Sequence, residues 1–185
     1  KYEDKILLNE AKLFLEWYAP TKINKFEIRK FKKEYENELK KLLSKLNLKN
    51  DTFVHRDFHL SNLMYVKNNI AVIDSQDALI GNKAYDLASL VDDVRFKTSN
   101  KLKNKILNNY FKKLKKTEIK EFINDFEILS VLRNLKIIGI FMRLALRDNK
   151  KKYTKMIPYA WEMINYRMKK NREFVNLKLI LKRNF

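Results

Sequence analysis

Apolar residues recur along the chain at two different periods, and the change of period divides it. Ile6, Leu7, Leu13, Phe14 and Trp17 fall at mixed three- and four-residue steps, which predicts a first helix stopped by Pro20. The same period returns at Phe31, Tyr35, Leu39, Leu42 and Leu46 with lysine and glutamate between, predicting a strongly amphipathic second helix that ends over 47–52. The pattern then shortens. Thr52 to Val54, Leu63 to Val66 and Ile70 to Ile73 read as short strands, and Asn68 and Asn69 as the tight turn between the last two, since asparagine tolerates positive φ.

Everything after Gly81 reads as helix. Tyr85, Leu87, Ala88, Leu90, Val91 and Val94 mark one; Leu102, Ile106, Leu107, Tyr110 and Phe111 mark another. Ile119 to Leu146 becomes apolar on nearly all sides in its second half and is read as a central helix pair. Ile157 to Met168, with Pro158 near its start, and Phe174 to Leu181 complete the chain. No internal repeat or linker interrupts this pattern. The expected fold is α+β, mostly helical, a single domain over 1–185 with one small island of strands.

The 185 residues include 41 lysines and arginines against 22 acidic residues, a formal charge of +19, with 45% hydrophobic residues. That apolar content suffices for a core, so disorder is excluded despite the charge. The lysines are mixed with asparagine and isoleucine throughout, so the charge reads as a chain-wide bias; nucleic acid is not expected as a partner, because a binding patch clusters on one face. The absence of cysteine excludes disulfides, a thiol nucleophile and a thiolate zinc site. Two glycines leave nothing for a glycine-rich phosphate loop. Ile137 to Met142 is far shorter than the ~20 residues that span a bilayer, and residues 1–5 lack the look of a signal peptide. A cytoplasmic protein away from membranes is expected.

The polar chemistry concentrates in the island, FVHRDFHLSNLMYVKNNIAVIDSQD over 53–77. Asn62 follows Asp57 by five residues, and Asp74 lies twelve beyond Asn62 at the end of a strand. Phosphoryl transfer needs such a set, because it is mostly positioning and charge neutralisation: one carboxylate to take the attacking hydroxyl's proton, an amide and a carboxylate to hold magnesium. Magnesium prefers hard oxygen ligands and keeps several waters, so two protein ligands are enough.

The order H-x-D-x-x-x-x-N, followed by a hydrophobic strand ending in aspartate, resembles the protein-kinase-like superfamily, and more closely its aminoglycoside phosphotransferase-like branch, where His59 and the hairpin after Asn62 are also usual. Ile73-Asp74-Ser75-Gln76-Asp77-Ala78 looks like the I-D-F-Q-D-A segment of the bacterial cell-wall kinases that phosphorylate N-acetylmuramate and N-acetylglucosamine at the anomeric hydroxyl. Tyr85-Asp86-Leu87, the helix from Glu10 to Trp17, the stretch Leu135 to Phe141 and Arg147-Asp148 extend the resemblance over nearly the whole chain. Ser75 stands where the family usually has phenylalanine.

The resemblance implies an ATP- and magnesium-dependent sugar or amino-sugar kinase, with Asp57 as catalytic base and Asn62 and Asp74 on the metal. His55 would order the loop. His59 is read either as loop-ordering or as a substrate contact, and Asp86 either as a helix cap or as a brace for the catalytic loop. Gln76 and Asp77 would meet a sugar hydroxyl or sit in a solvated loop. Arg143 and Arg147, one helical turn apart, would meet an anionic substrate group or pair on the surface. An aminoglycoside or amino alcohol is the alternative substrate within this class. Outside it stands a non-catalytic basic module that uses a kinase-like lobe to bind nucleic acid or an acidic partner, against which the intact Asp57, Asn62 and Asp74 count. Nothing before Trp17 reads as the N-terminal lobe that covers the nucleotide, so the chain is expected to be the C-terminal, catalytic lobe of a longer kinase, divided from it by cloning, proteolysis or natural division.

Overall fold

The computed structural model describes residues 1–169 and 171–185. Seven α-helices and four strands are formed among these: α1 Asp4–Ala11, α2 Ile28–Leu43, β1 Asn50–Val54, β2 Leu63–Val66, β3 Asn69–Val72, β4 Leu79–Asn82, α3 Ala84–Val91, α4 Asn100–Phe111, α5 Lys116–Leu146, α6 Ile157–Met168 and α7 Val175–Asn184. The mostly helical α+β character follows the periodicity. The chain divides into two compact units, one of residues 1–3 and 47–130, the other of residues 4–46 and 131–185.

The first unit contains all the strands. β1 pairs antiparallel with β4, and β2 with β3, giving two separate two-stranded sheets where one island was expected. The fourth strand falls on Leu79 to Asn82, at the point where the sequence reads as turning to helix. The β2–β3 turn is Lys67 and Asn68, at φ 46° and 64°, while Asn69 already pairs with Val66. Two consecutive positive-φ residues between paired strands are the hairpin geometry that matches strand twist, so the turn lies one residue earlier than the asparagine pair implied.

A buried carboxylate ties this unit together. Asp125 of α5, fully buried, accepts from the backbone N–H groups of Asn47 and Leu48, each at 2.9 Å, and from the Asn82 amide at 2.7 Å. Asn82 in turn accepts the Ala84 N–H at 3.0 Å, covering an otherwise orphaned donor at the start of α3. The entry to β1 and the exit from β4 are thereby fixed together. At the far end of α3, Lys103 of α4 reaches the Val91 carbonyl at 2.7 Å and Asp92 at 2.9 Å, and Ser130 donates to Asp92 at 2.6 Å. All three side chains are buried.

The second unit packs around aromatic rings. α2 turns Phe31, Tyr35, Leu39, Leu42 and Leu43 inward, each burial contributing roughly 1.5–3 kcal/mol. Phe14, in the irregular helical turn Phe14–Tyr18, stacks on Tyr35 at 5.5 Å and meets Trp161 edge-on at 5.7 Å. The Tyr35 hydroxyl donates to the Ala11 carbonyl at 3.2 Å. α5 is one continuous helix and not the expected pair, because nothing between Lys116 and Leu146 breaks it. Its Gly139 is the point of closest approach: a Cβ there would stand 2.3 Å from the Leu13 carbonyl carbon.

Candidate active site

β1 ends at Val54, and the chain leaves it through His55, Arg56 and Asp57 into a tight loop that reaches β2 by the single helical turn Leu60–Asn62. Arg56 sits at φ 73°, a left-handed backbone that costs a non-glycine residue about 1 kcal/mol and survives only where surroundings impose it. Asp86, in the first turn of α3, supplies that imposition. One of its oxygens accepts the His55 N–H at 2.7 Å and the other the Arg56 N–H at 3.0 Å. The carboxylate therefore sits on the backbone of the loop.

Beyond the bend, Asp57 is half-buried and its carbonyl collects two donors, the His59 N–H at 3.0 Å and the Asn62 amide at 3.0 Å. The Asn62 N–H donates to the His59 carbonyl at 2.9 Å. These bonds close the loop on itself, with His55, His59 and Asn62 buried inside it.

The segment after β3 is stitched to this loop at two points. The Ile73 N–H donates to the Asn62 carbonyl at 3.1 Å, and the His55 ring Nε2 lies 3.0 Å from the Ile73 carbonyl. A carbonyl only accepts, so Nε2 carries the proton. Asp74 follows immediately, at φ 72° and exposed, with one oxygen accepting from the Gln76 amide at 2.8 Å. Arg56 extends a guanidinium N–H to the Asp77 carbonyl at 3.0 Å, and its head stands 5.1 Å from the centre of the Tyr2 ring. The fold thus gathers Asp57, Asn62 and Asp74 on two loops sharing hydrogen bonds, with Gln76 and Asp77 on the second loop.

Arg147 belongs to the other compact unit, where its Nε and Nη2 donate to Asp148 at 2.6 and 3.0 Å. This pair holds the Arg147 guanidinium above and the Asp148 carboxyl below their ordinary values, hydrogen bonding being the main cause in each. Two contributors to the site escaped the sequence reading, Arg56 and Tyr2. Arg56 could have been found from its place between His55 and Asp57; nothing local marks Tyr2.

The donor set suits a hard divalent cation. The Asn62 NH2 is committed to the Asp57 carbonyl, which leaves the amide oxygen as the end for a cation, and Asp74 keeps its second carboxylate oxygen. No group of three or more His, Cys, Asp or Glu side chains is arranged to hold a metal among the described residues. A cation held here would therefore complete its shell with water and substrate oxygens, as magnesium commonly does.

Residues 2–122 match the phosphotransferase enzyme family, and the chain belongs to it. It is 32% identical over 183 residues to an N-acetylmuramate/N-acetylglucosamine kinase of Neisseria meningitidis serogroup B, covering 96% of this chain and 54% of that protein. Proteins of the same description from Caulobacter vibrioides and Pseudomonas aeruginosa are each 28% identical, over 86% and 95% of this chain and 45% and 54% of their own length. The chain spans about half the length of the curated relatives it matches. Among the described residues no helix is long and apolar enough to cross a membrane.

Proposed function

We propose that this chain carries the phosphoryl-transfer machinery of an ATP-dependent small-molecule kinase whose acceptor is a hydroxyl of a sugar or amino sugar. Asp57 is the base that orients the attacking hydroxyl and takes its proton; Asn62 and Asp74 hold magnesium. The observation that carries this reading is the double use of Asn62, whose side chain binds the Asp57 carbonyl while its own carbonyl takes the N–H of the residue before Asp74. Base and cation ligands are thereby kept in register, and phosphoryl transfer depends on register.

Asn62 and Asp74 would hold the magnesium, which would supply charge neutralisation at the transferred phosphoryl group. His55 keeps Ile73 against the Asp57 loop through its Nε2–H, while Asp86 holds the two N–H groups before Asp57. His59, buried, orders the turn through its backbone; Gln76 and Asp77, exposed beside Asp74, are the groups offered to acceptor hydroxyls. The names of the relatives favour an amino sugar over an aminoglycoside. We further propose that this chain is the catalytic lobe of the kinase and works with a nucleotide-covering lobe outside it, so that alone it turns over slowly or not at all.

The test is a magnesium titration of Asp57→Asn and Asp74→Asn in the full-length protein with N-acetylglucosamine as acceptor. Asp57→Asn should lower kcat by about 10²–10⁴-fold with unchanged magnesium dependence. Asp74→Asn should raise the magnesium needed for half-maximal rate and recover partly at high metal, as mass action requires. Magnesium rescue of the Asp57 variant instead would reverse the two roles; normal turnover in both would end the kinase reading.

A further inference from the structure

The loop that carries Asp57 is held on its upstream side by Asp86, but a second carboxylate meets it downstream. Asp93, seven residues beyond Asp86 and just past the end of α3, has one oxygen 3.4 Å from the Leu60 N–H. Leu60 opens the turn between Asp57 and Asn62. The other oxygen accepts the Arg95 N–H at 3.0 Å, with the Arg95 guanidinium at 3.5 Å. The Asp93 side chain is only 3% exposed. A carboxylate is costly to bury, and here it is compensated by backbone donors and one partly exposed arginine.

The segment bearing Asp93 is itself immobilised. Its neighbour Asp92 is locked from behind by Lys103 and Ser130, and Lys103 also holds the Val91 carbonyl. Three consecutive residues, Val91 to Asp93, therefore have partners on α4, α5 and the Asp57 loop. Such a set does more than close a helix, since the Asp93 contact reaches the loop of the proposed base.

Resting on the phosphotransfer reading of Asp57, we propose that Asp93 is a positioning residue that holds the downstream half of the Asp57 loop, opposite the Asp86 brace. It acts through Leu60 on the turn whose Asn62 amide holds the Asp57 carbonyl, and so on Asp57, and touches neither substrate nor cation. The contact is long, at 3.4 Å, and removing the charge weakens it together with the Arg95 pairing, a change of about tenfold in rate when the rest of the site is intact.

The experiment is a double-mutant cycle in the full-length protein with magnesium-ATP and N-acetylglucosamine. Asp93→Asn keeps the shape of the side chain and removes its charge. It should lower kcat about tenfold with KM for both substrates within about twofold, and should change the residual rate of Asp57→Asn by less than about twofold, because a group acting through Asp57 has nothing left to position. A kcat within twofold of the parent, or a loss repeated in full on the Asp57→Asn background, overturns the proposal. Wild-type turnover by Asp57→Asn alone would overturn the phosphotransfer reading and the proposal with it, a result distinguishable because Asp93→Asn does not enter it. Should Asp93→Asn fail to fold, amide exchange in the unaltered protein decides: the Leu60 N–H should be protected relative to that of its exposed neighbour Ser61, and an unprotected Leu60 overturns the proposal.

Discussion

Replacing Lys103 by methionine removes an ammonium whose side chain is 1% exposed while leaving its partner Asp92, 0% exposed, in place. Methionine fills nearly the same volume, so the cost is electrostatic. The ammonium lies 2.9 Å from the Asp92 carboxylate and 2.7 Å from the Val91 carbonyl. Val91 is the last residue of α3, where carbonyls lack partners within the helix and favour a nearby positive charge. Breaking a buried pair from one side costs roughly 3–5 kcal/mol, because the carboxylate stays in the core without its ammonium. For a chain of this size that corresponds to about 6–20 °C in Tm. Denaturant unfolding followed by circular dichroism, with calorimetry alongside, reads both quantities. The control is Lys103→Met combined with Asp92→Asn, which removes both charges and leaves an amide able to accept from Ser130; it should regain most of the loss. A single variant within about 1 kcal/mol of the parent would refute the reasoning, as would a double variant no more stable than the single.

Two further outcomes follow from the second unit. Gly139→Ala would ordinarily gain about 1 kcal/mol in a helix, but its Cβ would stand 2.3–2.6 Å from the backbone of Leu13 and Phe14, so a net loss of about 1–3 kcal/mol is expected in denaturant titration. Burial pushes the Tyr35 phenol well above its ordinary value of 10.0. The unfolded chain releases that proton first, so the stabilisation is complete below about pH 10 and is lost as pH rises beyond it. Tyr35→Phe should accordingly flatten the alkaline fall in Tm while costing about 1 kcal/mol near neutrality for the bond to Ala11.

The residues of the candidate site stood close together in the sequence, and that is why they could be read. The spacing from His55 to Asp74 is local, and strand, loop and hairpin follow one another without a crossover. The fourth strand was hidden for the opposite reason. Leu79-Ile80-Gly81-Asn82 is too short to show alternation, contains a glycine, and pairs with a strand begun 29 residues earlier, at Asn50. Its glycine answers to packing: a Cβ on Gly81 would lie 2.8 Å from that of Tyr2. The undivided α5 was missed because continuous burial looked like two faces needing two partners. Asp86 admitted two meanings, since cap and brace both place an aspartate near a helix start. The hydrogen bonds to His55 and Arg56 come from 31 and 30 residues away, beyond what any local pattern records. Asp93 and Lys103 share that difficulty.

Arg56 and Asp74 both hold left-handed backbone, within one degree of each other, on the two loops that meet at Asn62. Glycine would adopt either conformation without strain. A search for hardier variants of this protein, blind to activity, would therefore be drawn to those two positions, and to Asp74 directly. Relief of the strain would also free the bends that aim the loops, and at Asp74 would delete the carboxylate itself. With Asp74 in its proposed role, selection for thermal endurance and selection for turnover would pull these codons in opposite directions.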